Sequence, residues 1–369
     1  MTENFEQYQF SVRSLKEYPS LSSDWLSLEQ KSEASFFLSW TWVGTWLDCY
    51  LPEVDVLSVT LDDEIIGLCL LSKSVFSQWK RFTSKRLHFH QTGKPELDQI
   101  WTEYNGVLCA TDHASEINAL VMPFLIKHYS GWDELMLGAV SKNLAETLQK
   151  SSGLSRLDLW ESPSYGVDLQ DLKTKGLGFL ESLSRNTRYQ IRRSLKIYES
   201  QGGLRLQFAA NETEAWSFFH EIAPLHMGRW GTKVGESGFS NPAFVAFHDL
   251  LIKRAFPLKQ VDIIKVFCGA RVLGYLYNFL YRGRVYFYLS GLVSEQDAKL
   301  KPGLCAHALA IQYYMNKGYK FYDFMGGDDR YKSSLGAAHE ELYLITLQKD
   351  RLKFKIEAFL RGLKQHFGS

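Results

Sequence analysis

Residues 286–336 read YFYLSGLVSEQDAKLKPGLCAHALAIQYYMNKGYKFYDFMGGDDRYKSSLG, and no other stretch of the chain constrains the fold as tightly. Residues 285–289 are a short aromatic and β-branched run between Arg282-Gly283-Arg284 and Ser290-Gly291, which is the signature of a strand. A helix is expected to begin at Pro302, where the missing N–H leaves no bond unmade. Gly303 leaves the backbone bare where the first amides point outward, and such an end attracts anions. Ala306, Leu309, Ala310 and Tyr313 recur at helical spacing, and Lys317-Gly318 supplies a basic last turn and a stop. Residues 319–324 return as a strand and lead into a Gly-flanked loop carrying Asp328, Asp329, Tyr331 and Lys332. Strand, helix and strand of these lengths require a crossover, so the two strands run parallel, and ligands collect at the carboxyl ends of such strands. Ser290, Gly291 and the 326–332 loop are expected to gather there.

A chain of 369 residues is long enough for two ordinary domains with a core each. Lys and Arg (42) nearly balance Asp and Glu (41), so no global field draws in a polyanion, and any such partner depends on local patches. No apolar stretch is long enough to span a bilayer, and MTENFEQYQF has neither the basic start nor the apolar run of a secretory signal. The cytoplasm is the expected compartment. The five cysteines, at 49, 69, 109, 268 and 305, are odd in number and widely spaced, and read as packed thiols. His88-Phe89-His90 lacks a third ligand, and neither a Gly-Lys-Ser/Thr phosphate loop nor a Gly-x-Ser-x-Gly elbow occurs. Zinc enzymes, nucleotide hydrolases and serine hydrolases are thereby disfavoured, and no metal is expected.

The first half reads as a buried helix at 36–50, a hairpin of 54–60 with 64–72, and strands at 86–91, 105–109, 134–137 and 157–160, with helices at 114–129 and 142–151. The second half reads as helices at 184–201, 212–227 and 242–254 followed by strands at 261–267, 271–281 and 284–289. SVTLDDEIIGLCLL (58–71) and VFCGARVLGYLYN (266–278) share a pattern and a glycine after the turn, a weak internal repeat. The fold class is therefore α/β (α+β), with domains at 1–170 and 171–369 meeting where Ser162-Pro163-Ser164 and Gly176/Gly178 punctuate the pattern.

Ser184 suits a helix N-cap, and Arg185, Arg188, Arg192 and Lys196 then form one row while Ile191, Leu195 and Tyr198 form another. The row is either a solvated face or a phosphate clamp able to hold coenzyme A, a nucleotide-linked sugar or tRNA. In the 326–332 loop, carboxylates, Tyr331 and Lys332 cover the needs of an amine attacking an ester or thioester: a base, an oxyanion donor and an acid for the leaving group. His226, ahead of Arg229, Trp230 and a glycine-rich stretch, is either a base or a helix-end histidine settled by the dipole. Asp98, Glu103, Tyr104 and Asn105 bring acidic, aromatic and amide groups together, as a sugar or amine site or an ordinary edge turn does.

These residues, in this order, resemble the acetyltransferase family associated with cellulose biosynthesis, the CelD type within the GNAT superfamily. The likeness runs through residues 36–46, 103–106, 184–193, 226–230, 290–291, 302–303 and 323–332. That family is similar to the Fem-type peptidyltransferases, which contain two GNAT-like domains with the active site in the cleft between them. The resemblance implies two tandem GNAT-like domains, each a mixed, mostly antiparallel sheet flanked by helices. It also implies transfer of an acyl group, usually acetyl, from acyl-CoA to an amine by direct attack, the acceptor being a small molecule or glycan precursor. Lys332 matches the Lys of the Fem-type Tyr/Phe-Lys segment and would stabilise an oxyanion or donor phosphate. Tyr331 would be the acid, and Asp328, Glu103 or His226 the base. Arg185, Arg188, Arg192, Ser290, Gly291, Pro302 and Gly303 would hold the donor, and Asp98, Tyr104, Asn105, Arg229 and Trp230 the acceptor. One departure stands out. The GNAT phosphate cradle Arg/Gln-x-x-Gly-x-Gly/Ala is replaced by KLKPGLCA (299–306), with a single glycine, so a donor other than CoA remains an alternative. Near-neutral charge and the absence of a long heptad-bearing arm weigh against a tRNA-dependent transferase. A non-catalytic scaffold that binds a sugar nucleotide is the other alternative.

Overall fold

The computed structural model describes residues 2–5, 7–78, 82–233 and 235–358. The chain divides into two compact units, Met1–Glu161 with Leu342–Ser369, and Ser162–Glu341. Among the described residues no helix is long and apolar enough to cross a membrane.

The sheet of the first unit runs, in spatial order, Thr2–Phe5, Tyr8–Ser14, Asp55–Leu61, Glu64–Gln78, Phe82–Phe89, Glu134–Ser141 and residues 342–348 of the strand Ala337–Gln348. Every neighbouring pair is antiparallel except Phe82–Phe89 with Glu134–Ser141. Its core explains much of the aromatic content, for Trp25, Trp42, Trp46, Phe10, Phe36 and Phe37 are all buried. Truncating any one of them to Ala removes about 3–5 kcal/mol. The segment expected as one helix over 36–50 is divided at Ser39. Phe36–Leu38 makes a single 3-10 turn, and Trp40–Tyr50 starts afresh because the Ser39 hydroxyl accepts the Trp42 N–H.

The second unit repeats the plan. Its sheet runs Leu204–Phe208, Val261–Cys268, Arg271–Tyr281, Arg284–Leu292, Phe321–Gly326 and residues 164–168 of the strand Ser155–Asp168. Here too all pairs are antiparallel except one, Arg284–Leu292 with Phe321–Gly326, joined by the helix Pro302–Asn316. This is the parallel crossover expected from the sequence. The helix ends as anticipated: Gly318 adopts φ +87°, and the Tyr319 N–H bonds back to the Tyr314 carbonyl. Ile191 and Tyr198 of the helix Arg185–Glu199 pack into a core with Ile264, Leu276, Val285 and Phe324.

The repeat extends to fine geometry. Each hairpin carries a β-bulge beside its glycine: Val59 faces Gly67 and Thr60 then faces Ile65, while Val266 faces Gly274 and Phe267 then faces Val272. Gly274 has φ +139°, and a Cβ there would collide with the Gly291 carbonyl. In each unit the parallel pair spans three positions, Arg86–His88 against Glu134–Met136 and Arg284–Tyr286 against Phe321–Asp323. Each unit is thus a mixed, mostly antiparallel sheet flanked by helices.

Several elements differ from expectation. Tyr331 and Lys332, expected in a loop, lie on the short helix Arg330–Leu335. The strands Tyr8–Ser14, Leu204–Phe208 and Ala337–Gln348 and the helix Leu21–Gln30 had no counterpart in the sequence pattern as read. All five cysteines are free thiols, four of them buried.

Candidate active site in the second unit

The pairing of the parallel strands stops at Tyr286 and Asp323, although the strands themselves run on to Leu292 and Gly326. Beyond the last paired residues lies a cavity of about 890 Å³, lined only by residues of the second unit. Ser290 and Leu292 come from the strand, Lys301, Pro302, Gly303 and His307 from the following helix and its cap, and Arg229 from the helix Glu212–Trp230. Tyr331 completes the wall. Of the expected donor-holding residues the structure therefore brings together Ser290, Pro302 and Gly303, and it adds Arg229 and Tyr331 to them. A Cβ on Gly303 would meet only Leu292 Cδ1, at 3.5 Å, so the backbone at this helix start is open to the cavity. The helix N-terminus and the two cations Arg229 and Lys301 make this end of the cavity suited to phosphate. Glu295, also on the wall, is neutralised by Arg271 and takes the Tyr198 hydroxyl at 3.1 Å.

Tyr331 is held protonated, because burial raises its pKa and the nearby Asp329 charge adds to this, outweighing Arg229. His307 is buried, and its pKa is lowered to about 3 by burial and then by the charge of Lys332. Lys332 is itself buried, with its ammonium donating to the Gly326 carbonyl at the end of the strand. That strand end is braced by Asp323, which is fully buried and accepts from Met325 N–H (2.7 Å), the Ser164 hydroxyl (3.2 Å) and Arg284 (3.2 Å), with His339 at 3.4 Å. Met325 has φ +63°, so the chain turns sharply between Asp323 and the Gly326-Gly327 segment.

Other expected site residues sit elsewhere. Gly291 is a packing glycine: a Cβ would lie 2.9 Å from the Ile222 carbonyl oxygen, so its bareness lets the helix Glu212–Trp230 approach the strand. His226 is buried with Nδ1 2.8 Å from the Ser237 hydroxyl, and burial, helped by Arg229, lowers its pKa to about 4. It is absent from the cavity wall, as are Lys332, Asp328 and Trp230. Asp328 is exposed and accepts the Tyr165 hydroxyl at 3.2 Å, and exposed Trp230 lies under the Arg229 guanidinium. In the basic row, Ser184 caps the helix through Thr187 N–H as expected. Arg192 pairs with Glu181, Arg188 donates to the Glu181 carbonyl, and Arg185 is exposed, so the row reaches solvent and not the cavity.

The first unit holds the remaining candidates. Asp98 is occupied in bracing its own turn, accepting Thr92 N–H (2.7 Å), Thr92 Oγ1 (3.0 Å) and Gly93 N–H (2.8 Å). Asn105 is buried, donating to the Phe89 carbonyl and accepting from Gly106 N–H, each at 2.8 Å. Glu103 and Tyr104 are half-buried beside it. Two wall residues, His307 and Lys301, were not singled out from sequence. The i, i+4 spacing of Gly303 and His307, which puts both on one helix face, was the available signal.

Residues 185–333 match the family model described as "Acetyltransferase (GNAT) domain". The second unit carries a GNAT acetyltransferase-like catalytic domain. Such a domain transfers acyl groups from an acyl-CoA-type donor. Among solved structures, FemX is similar at 11% identity, covering 87% of this chain and 95% of that one, with a TM-score of 0.55. L-PGS from Bacillus licheniformis is similar at 10% identity, covering 93% and 96%, with a TM-score of 0.54. A conserved protein of unknown function from Bacteroides thetaiotaomicron is similar at 12% identity, covering 89% and 97%, with a TM-score of 0.52. At these identities the likeness is one of fold, and it extends over both units. No curated protein matches the sequence. Among the described residues no group of three or more His, Cys, Asp or Glu side chains is placed to hold a metal ion.

Proposed function

We propose that this protein is an N-acyltransferase of the CelD type, moving an acetyl or other acyl group from acyl-CoA to the amine of an amino sugar or a related polysaccharide or envelope precursor. The observation that carries this reading is the 890 Å³ cavity, in which a bare helix start at Pro302-Gly303, two cations and a protonated tyrosine share one wall. Arg229, Lys301 and the helix amides hold the donor's phosphates. The amine attacks the thioester carbonyl directly, and Tyr331 gives its proton to the departing thiolate. Cys305, next to the cavity-lining Leu304, is no nucleophile, because burial pushes its thiol up to about 11. Lys332, held against the strand-end carbonyl and absent from the cavity wall, acts on the donor through the positive charge it places near His307. Among the expected bases Asp328 and His226 lie in the same unit as the cavity, and single substitutions with a known acceptor assign the base.

Thermal stabilisation by acetyl-CoA, longer acyl-CoAs and nucleotide sugars tests the reading. Saturating acetyl-CoA at 100 times Kd stabilises the fold by about 2.7 kcal/mol. Product formation with an amino sugar completes the case. A response to sugar nucleotides alone, without turnover, points instead to a binding scaffold. The exposed basic row, with Arg185, Arg192 and Lys196 at the surface, supports a second reading in which the donor is a tRNA. Binding that does not weaken with salt removes that second reading.

A further inference from the structure

His307 meets the Tyr322 hydroxyl through Nδ1. Tyr322 is fully buried, and burial raises its pKa, so its hydroxyl keeps its proton. Among the described residues its one hydrogen-bond partner is His307 Nδ1, at 3.1 Å. A buried hydroxyl donates where it can, so Tyr322 donates and Nδ1 accepts. A neutral imidazole that accepts at Nδ1 carries its proton on Nε2. His307 stays neutral, since burial and the Lys332 charge both oppose protonation. The ring is clamped by Phe287 (4.4 Å, edge-on), Phe324 (5.2 Å) and Tyr331, which stacks on it at 5.6 Å and 14°. Nε2 has no hydrogen-bond partner among the described residues, and the ring lines the cavity one helical turn inward from Gly303.

We propose that His307 is a further catalytic residue, a neutral imidazole whose Nε2–H donates to the acyl carbonyl of the donor in the cavity, and that Tyr322 is the positioning residue that holds it in this tautomer. The inference rests on the acyl-CoA reading of the cavity. A neutral donor suits the place: it strengthens its bond as the carbonyl oxygen gains charge in the transition state, and it gives up no proton to the thioester.

The test uses the full chain and two probes, acetyl-CoA and its thioether analogue S-ethyl-CoA, which lacks the carbonyl. Long-range proton–nitrogen NMR on the ligand-free protein comes first. It is expected to show His307 protonated at Nε2 and bare at Nδ1, and a proton on Nδ1 would overturn the assignment whatever the donor is. Wild type is then expected to bind acetyl-CoA about three- to tenfold more tightly than S-ethyl-CoA, the range of one neutral hydrogen bond. In His307→Leu the two affinities become equal. Tyr322→Phe, which preserves the core volume, narrows the ratio and lets the Nδ1–H tautomer appear in the spectrum. If His307→Leu keeps the wild-type ratio while both proteins bind acetyl-CoA, the role of His307 is refuted and the donor reading stands. If wild type binds neither probe, the donor reading itself falls, and the carbonyl partner falls with it.

Discussion

Replacing Asp323 by Asn keeps the size of the side chain and removes its charge, which makes it a sharp probe of the strand end that carries the candidate site. The carboxylate is fully buried among Met325 N–H, Ser164, Arg284 and His339. Burial alone would raise its pKa, but the His339 hydrogen bond, the charges of His339 and Arg284 and the Met325 N–H together hold it below the usual carboxylate value. A carboxyl whose folded pKa lies below its unfolded value, about 3.9, stabilises the fold fully above that value and loses the contribution as pH falls through the folded pKa. Breaking a buried pair by removing one partner costs about 3–5 kcal/mol. Arg284 and His339 keep 35% and 20% of their side-chain surfaces exposed, so water recovers part of what they lose. The Asn oxygen can also still accept from Met325. The expected loss is therefore about 1.5–2.5 kcal/mol at pH 7, and it begins to shrink as pH falls below about 3.9. Urea denaturation of both proteins from pH 7 to pH 3 measures it. Buried histidines such as His226 and His307, with folded pKa values near 4 and 3, also cause stability to fall as pH drops below about 6.5. They act in both proteins, so the difference between the two curves isolates Asp323. A difference under about 0.5 kcal/mol at pH 7, or one that stays constant down to pH 3, would refute the reasoning.

Gly291→Ala must push the helix Glu212–Trp230 off its strand, because the new methyl lies 2.9 Å from both the Ile222 carbonyl oxygen and Leu225 Cβ. A loss of about 1–3 kcal/mol, seen as a lower Tm, is expected. Gly303→Leu has room, with Leu292 Cδ1 3.5 Å away, so stability should hold within about 0.5 kcal/mol while stabilisation by acetyl-CoA disappears. Retained acetyl-CoA binding in that variant would count against the cavity as the donor site. Arg192→Ala removes a pair whose partners are 58% and 48% exposed, so its effect on stability should be under about 0.5 kcal/mol. A severalfold loss of acetyl-CoA affinity in the same variant would show that the basic row nonetheless reaches the donor.

Much of the second unit was legible because its elements announce themselves locally. Pro302 and Gly318 bound the helix in the sequence as they do in space, and the crossover it makes required a parallel pair. The glycines of the two hairpins pointed to a repeat, which the matching bulges bear out. The short helix Arg330–Leu335 was not legible, since six residues give hardly more than one turn of periodicity. The strand Ala337–Gln348 begins with exposed residues and shows its apolar pattern only from Leu342 onward. Ser290-Gly291 read as a pair facing a ligand, yet only Ser290 reaches the cavity, because Gly291 is occupied by a helix some seventy residues earlier in the chain. His307 stood between two alanines in an apolar helix, where a buried core histidine and a cavity donor look alike.

From the sequence alone came the strand, helix and strand of the parallel crossover, the helix start at Pro302-Gly303 and the unpaired cysteines. These follow from spacing and composition within a few residues, where backbone geometry and capping act. Only the tertiary structure decided that the strand begun at Ala337 lends residues 342–348 to the sheet of the first unit, and that Asp323 meets Ser164 from 159 residues away. It likewise decided that the Tyr322 hydroxyl meets Nδ1 of His307. Burial, desolvation and hydrogen-bond pairing depend on neighbours in space, and no local pattern of residues records which neighbours those will be.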